Sequence, residues 1–199
     1  MYKDLEFVCG GNLGRSPIEA AVATMRLERK GYSDVKVSSS GTAVDFMKTA
    51  TPEQVQRAIM HYLPTMIEAG VITSEQERDL KEGKNVKEIV APILHSISVD
   101  EQERVLEILC AKGLSRYVDT NRIMHPKQTI ARPYAELILV NGEKNLKRVN
   151  EIYAPTSYRP LIENLGEFPD PMFASFQEHK RLARKLRDAT IEAIERFYN

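Results

Sequence analysis

The chain opens on a short apolar stretch, "LEFV", that follows charged residues and ends at Cys9. A run this short and β-prone predicts a buried strand. A glycine-rich loop follows over Gly10–Arg15. Ile18, Ala21, Val22 and Met25 then recur at helical spacing, so a helix with one apolar face follows the loop. Its start signals read as Ser16 at the N-cap, Pro17 as the first helical residue and Glu19 closing a capping box. Gly31 stops it. "DVKVSSSGT" reads as a second strand running into a loop of small residues.

The period changes in the middle. Val55, Ile59, Leu63 and Met66 put a helix over Pro52 to Ala69, which Pro64 can kink. Helical periodicity rich in Glu and Lys continues over roughly Ser74–Leu114. "AELILVN" is then a strand, "EKNLKRVNEIY" a helix, "RPLIENL" a short strand and "GEFPDPMF" a loop. "SFQEHKRLARKLRDATIEAIERF" is a long amphipathic final helix. Strand–helix alternation at both ends predicts a parallel α/β sheet. The expected organisation is one domain spanning 1–199, with a helical insertion at about 50–125 packed on the sheet as a surface hairpin.

Composition narrows the function classes. The chain has 199 residues, 42% hydrophobic and 28% charged, with zero formal net charge. This is an ordinary globular composition, and its charge does not point to a nucleic-acid or membrane-surface partner. No run approaches the length of a membrane span, and "MYKDLEFV" lacks the apolar core of a signal peptide. The only cysteines, Cys9 and Cys110, make no disulfide framework, and no Cys/His cluster suggests a zinc site. A cytoplasmic location is expected, with no metal and no cofactor. His61, His95, His125 and His179 are scattered and read as surface or packing residues. Cys110 lies among Ile108, Leu109 and Leu114 and reads as a buried helix residue.

The chemistry concentrates in "VCGGNLGRSP". A strand that feeds a helix N-terminus through a glycine loop gathers backbone N–H groups, and the helix dipole adds positive potential. Gly10, Gly11 and Gly14 let the backbone wrap closely around a small anion. Asn12 tolerates the left-handed region. Arg15 adds a planar fork that holds two phosphate oxygens. Cys9 lies at the base, where the same groups stabilise a thiolate nucleophile. Ser16 has two competing uses, bonding that thiolate and capping the helix. A cysteine at a strand end is by itself only a small apolar residue. The C-x5-R spacing beside a helix start is what makes the pattern specific.

This loop resembles the phosphate-binding loop of low-molecular-weight protein tyrosine phosphatases, V-C-x-G-N-x-C-R-S-P. "SSSGT" at 38–42, "YAELILVNGEKNLKRV" and "FPDPMF" at 168–173 resemble further segments of that family, in the same order. Matching stretches cover about 1–46 and 130–199. The resemblance implies a three-layer, flavodoxin-like α/β fold with a central parallel sheet of about four strands. It implies phosphomonoester hydrolysis, with Cys9 as nucleophile and Arg15 on the equatorial oxygens. Gly10, Gly11, Asn12, Leu13, Gly14, Arg15 and Ser16 form the loop. Asp170 is then general acid and base, and its place between Pro169 and Pro171 restrains its backbone as a proton donor requires. The implied partners are a phosphorylated protein or small aryl phosphate, with inorganic phosphate as product and inhibitor.

The sequence also departs from that pattern. Gly14 replaces a second loop cysteine, so a protective disulfide is not expected. Glu19 is displaced by one from the family's acidic position. Phe46, Met172 and Phe173 stand where aromatic residues usually wall the crevice. An arsenate reductase of the same fold is the nearest alternative, but it relays electrons through two further cysteines and only Cys110 remains. An inactive phosphate- or phosphopeptide-binding module is another alternative.

Overall fold

A computed structural model describes residues 1–118, 120–171 and 174–199. Four strands form one sheet: β1 (Asp4–Cys9), β2 (Lys36–Gly41), β3 (Leu137–Asn141) and β4 (Leu161–Gly166), in the order β2-β1-β3-β4. Every pairing is parallel. Parallel strands need crossovers, and these are supplied by α1 (Arg15–Arg29) after β1 and α8 (Glu143–Tyr153) after β3, while α9 (Phe176–Phe197) follows β4. This is the fold class expected from the alternating pattern.

Each strand face has its own cover. Leu5 and Phe7 of β1 and Leu137 and Leu139 of β3 pack with Ala23 and Leu27 of α1 and Ala193 and Ile194 of α9. The alternate residues Val8, Ile138 and Val140 pack with Val149 and Tyr153 of α8. Both faces of β3 are thus buried, which explains its unbroken apolar run. Asp4 and Glu6 share the α8-side face of β1 and are also buried. Arg132 makes this possible, donating to Asp4 at 2.7 Å and to Glu6 at 2.8 Å. A buried carboxylate needs such a partner, and one guanidinium serves two.

The middle segment holds α2 (Phe46–Thr49), α3 (Pro52–Ile59), α4 (Leu63–Glu68), α5 (Ser74–Glu82), α6 (Val86–Ala111) and α7 (Thr120–Met124). The expected 52–69 helix is two: the chain turns at Met60–Tyr62, and Pro64 opens α4 instead of kinking one helix. The segment is not a hairpin laid on the sheet. Val55, Ile59, Leu63, Met66, Leu80 and Val90 form a core of their own. The last turns of α6 then insert Val105, Ile108 and Leu109 against Ile18 and Val22 of α1 and Leu182 and Leu186 of α9. Cys110 is exposed, not buried, because the inward positions of that turn go to Ile108 and Leu109. No helix among the described residues is long and apolar enough to cross a membrane.

Candidate active site

An all-parallel sheet brings its strand C-termini to one edge. Cys9, Gly41 and Asn141 therefore end side by side, and the connections that leave the neighbours β1 and β3 run in opposite directions, to β2 and to β4. Ligands of open α/β sheets bind at that position.

The loop after Cys9 is held by the end of β2 and by the first turn of α1. Thr42 donates its backbone N–H to the Cys9 carbonyl at 2.9 Å, and Ala43 to that of Gly10 at 2.9 Å. The approach is so close that a Cβ on Gly41 would lie 2.4 Å from the Gly10 oxygen, so only glycine fits there. Asn12 sits at φ 53°, in the left-handed region. Ser16 Oγ is 3.1 Å from Cys9 Sγ, 3.0 Å from Asn12 Oδ1 and 3.2 Å from the Ser40 carbonyl oxygen. Cys9, Asn12 and Ser16 are buried.

The expected capping box is absent. Helix α1 starts at Arg15 with Gly14 at its N-cap and no side-chain cap. Ser16 is already inside the helix and spends its hydroxyl on the loop. Glu19 turns inward and accepts from Asn141 Nδ2 at 2.7 Å. The same Asn141 group donates to the Val8 carbonyl at 3.1 Å, joining β1, β3 and α1 beneath the loop. Burial pushes the Glu19 carboxyl up to about 8, against the pull of the Asn141 bond and the charge of Arg15. Leaving the carboxyl neutral keeps Arg15 from being tied to an internal anion.

Arg15 points across the cradle to the Pro-rich loop. Its Nη1 donates to the Phe168 carbonyl at 3.0 Å, and its Nη2 lies 3.5 Å from Asp170 Oδ2. Arg15 and Asp170, far apart in sequence, thus meet beside the loop that Cys9 begins. Met172 and Phe173 lie outside the described residues. Phe46 is partly buried and packs against the core of the helical segment.

Three contributors escape the sequence pattern. Tyr62, at the start of α4, has its hydroxyl pKa raised by burial and by the charge of Asp170, with Arg15 opposing, which puts it beside the same pair. The sequence carried no signal for it, because the apolar spacing runs on from Ile59 to Leu63 across this position. The others are Glu101 of α6 and His179 of α9, both buried, joined by a 2.5 Å hydrogen bond behind Gly14.

Comparison with known proteins agrees with this geometry. Residues 4–81 match the family described as Low molecular weight phosphotyrosine protein phosphatase. The resemblance to these phosphatases is thus shown from β1 through α5, which includes the whole loop. The low molecular weight protein-tyrosine-phosphatase PtpA of Staphylococcus epidermidis is 53% identical over 36 residues, 18% of this chain and 23% of that protein. The matched stretch therefore spans less than a quarter of that relative. Among solved structures, a YwlE mutant from Bacillus subtilis is similar with a TM-score of 0.57 at 18% identity, covering 98% of this chain and 99% of that one. The tyrosine phosphatase Wzb from Escherichia coli K30, in complex with sulphate, gives 0.55 at 18% identity, with 98% and 99% covered. At such identities the structural likeness speaks for the fold alone.

Proposed function

We propose that this chain hydrolyses phosphomonoesters, as a protein tyrosine phosphatase, through a phosphocysteine on Cys9. The observation that carries the reading is Arg15 held between the loop and Asp170, with Cys9 Sγ and Ser16 Oγ 3.1 Å apart at the base. Phosphate oxygens fit the backbone N–H groups of residues 10–15 and the Arg15 fork. The Cys9 thiolate attacks phosphorus, the P–O bond breaks, and Asp170 gives its proton to the departing oxygen. Asp170 then takes a proton from water, the water oxygen attacks phosphorus, and the P–S bond breaks. Inorganic phosphate leaves and the thiolate is restored. The Ser16 hydroxyl can donate to that thiolate, and Tyr62 lines the approach beside Asp170.

Resemblance over residues 4–81 supports this reading, and the sulphate complex of Wzb supports a tetrahedral anion as ligand. An arsenate-reducing relay lacks its cysteines, since Cys110 is the one other cysteine of the chain. The test is Cys9→Ser assayed with phenyl phosphate. A serine hydroxyl is not ionised by this environment, so turnover should vanish while inorganic phosphate still binds. Substantial hydrolysis by Cys9→Ser would refute the mechanism.

A further inference from the structure

We infer that Glu101 and His179 form a charge-compensated brace behind the phosphate loop, in which the His179 imidazolium cancels a carboxylate pressed on Gly14 and so lets the loop accept a dianion. This rests on the loop being the anion site of the reaction proposed above.

Glu101 Oε1 lies 2.1 Å from where a Cβ on Gly14 would stand, and Pro171 Cγ lies 3.3 Å from the same point. Glu101 therefore presses on the loop at the point where the segment that carries Asp170 also comes close to Gly14. It is 6% exposed, and Oε1 has no hydrogen-bond partner among the described residues. An ionised carboxylate there would oppose any phosphate in the loop. The other oxygen, Oε2, lies 2.5 Å from His179 Nε2.

The proton count follows from His179's second contact. Nδ1 lies 3.0 Å from the Ser175 carbonyl oxygen, which can only accept, so Nδ1 carries a proton. A further proton must then lie between Nε2 and Oε2. Burial would lower the His179 pKa, but the bonds to Glu101 and Ser175 and the charge of Glu101 outweigh it, and the net shift is upward. With that shared proton in place the pair carries no net charge.

The other charged groups facing the pair do not replace that proton. Arg104 and Asp100 of α6 line the same cleft of about 530 Å³ as Glu101. Arg104 donates to the Ala174 carbonyl at 2.9 Å and disfavours a charged His179. Glu178 of α9 is engaged in capping with Ser175. Arg15 is turned to Phe168 and Asp170. A lost His179 proton therefore leaves the Glu101 charge bare beside the loop.

The test is sulfate binding by calorimetry, because sulfate stays a dianion across the neutral and alkaline range. His179→Gln should bind sulfate on the order of tenfold more weakly than the parent, and adding Glu101→Gln should restore the affinity. A brace with a purely structural role predicts the opposite, since the second substitution would remove another contact. Parent affinity should also fall as pH rises through the His179 transition, while Glu101→Gln, which folds without a buried charge, shows no such fall. That comparison stands even if His179→Gln does not fold. A parent that binds sulfate with the same pH dependence as Glu101→Gln would overturn the brace and leave the phosphatase reading intact. A parent that binds no sulfate or phosphate at all would overturn both.

Discussion

Glu19→Gln tests the electrostatics under the loop. Glu19 is fully buried and accepts one hydrogen bond from Asn141, and its other oxygen has no partner among the described residues. Its pKa rises from 4.5 in the open chain to about 8 in the fold. Between these values the folded chain holds a proton that the unfolded chain has released. Stability must therefore fall as pH rises through this window, by about 1.4 kcal/mol per pH unit. From about pH 4.5 to 7 the loss amounts to about 3 kcal/mol. Glutamine keeps the shape, still accepts from Asn141, and carries no such linkage. Urea denaturation of both proteins at several pH values gives the comparison directly. The variant should match the parent near pH 5 and exceed it progressively towards pH 8. A variant less stable than the parent at pH 8 would refute the reasoning, because it would mean that Glu19 is ionised and paired with Arg15 in the native state.

Gly14→Ala should destabilise the fold by about 1–3 kcal/mol, since the new methyl collides with Glu101 Oε1. The loss should shrink in a Glu101→Ala background, and additive thermal melts would deny that the two positions touch. Asp170→Asn should slow unsubstituted phenyl phosphate far more than nitrophenyl phosphate, because a basic leaving oxygen needs the ~10²–10⁴-fold help of a general acid. Single-turnover rates isolate that step, and equal dependence on leaving-group pKa in both proteins would take the proton away from Asp170.

Strand β3 was legible because it is a short apolar run between turn signals, and burial on both its faces leaves it no polar alternation. Helix α9 was legible for a different reason, its long amphipathic pattern, and in the fold Ser175 and Glu178 close a capping box at its start. The spacing of such a box misled at α1. Ser16 and Glu19 have capping-box spacing, but the loop needs a hydroxyl beside Cys9 and the interior takes the carboxyl, so the helix starts two residues earlier without a side-chain cap. Local propensity loses here to a tertiary hydrogen-bond network, as expected where chemistry is concentrated. The middle helices were legible as helices from their spacing. Their shared core was not, because periodicity gives each helix an apolar face without naming the partner that covers it.

The departure at Gly14 shows where sequence reading of the site stops. From the loop alone, glycine in place of a cysteine is a loss: one thiol fewer and no disulfide. In the fold, the space that a side chain would occupy at position 14 belongs to Glu101, a residue of the helical segment. The glycine and the added helices are therefore one structural fact seen twice. A carboxylate brought so close to an anion site must be neutralised, and His179, which looked like a scattered packing residue, is the group placed to do it. No spacing rule links positions 14, 101 and 179. What links them is the cost of an uncompensated buried charge, which any helix reaching this loop with a glutamate must answer.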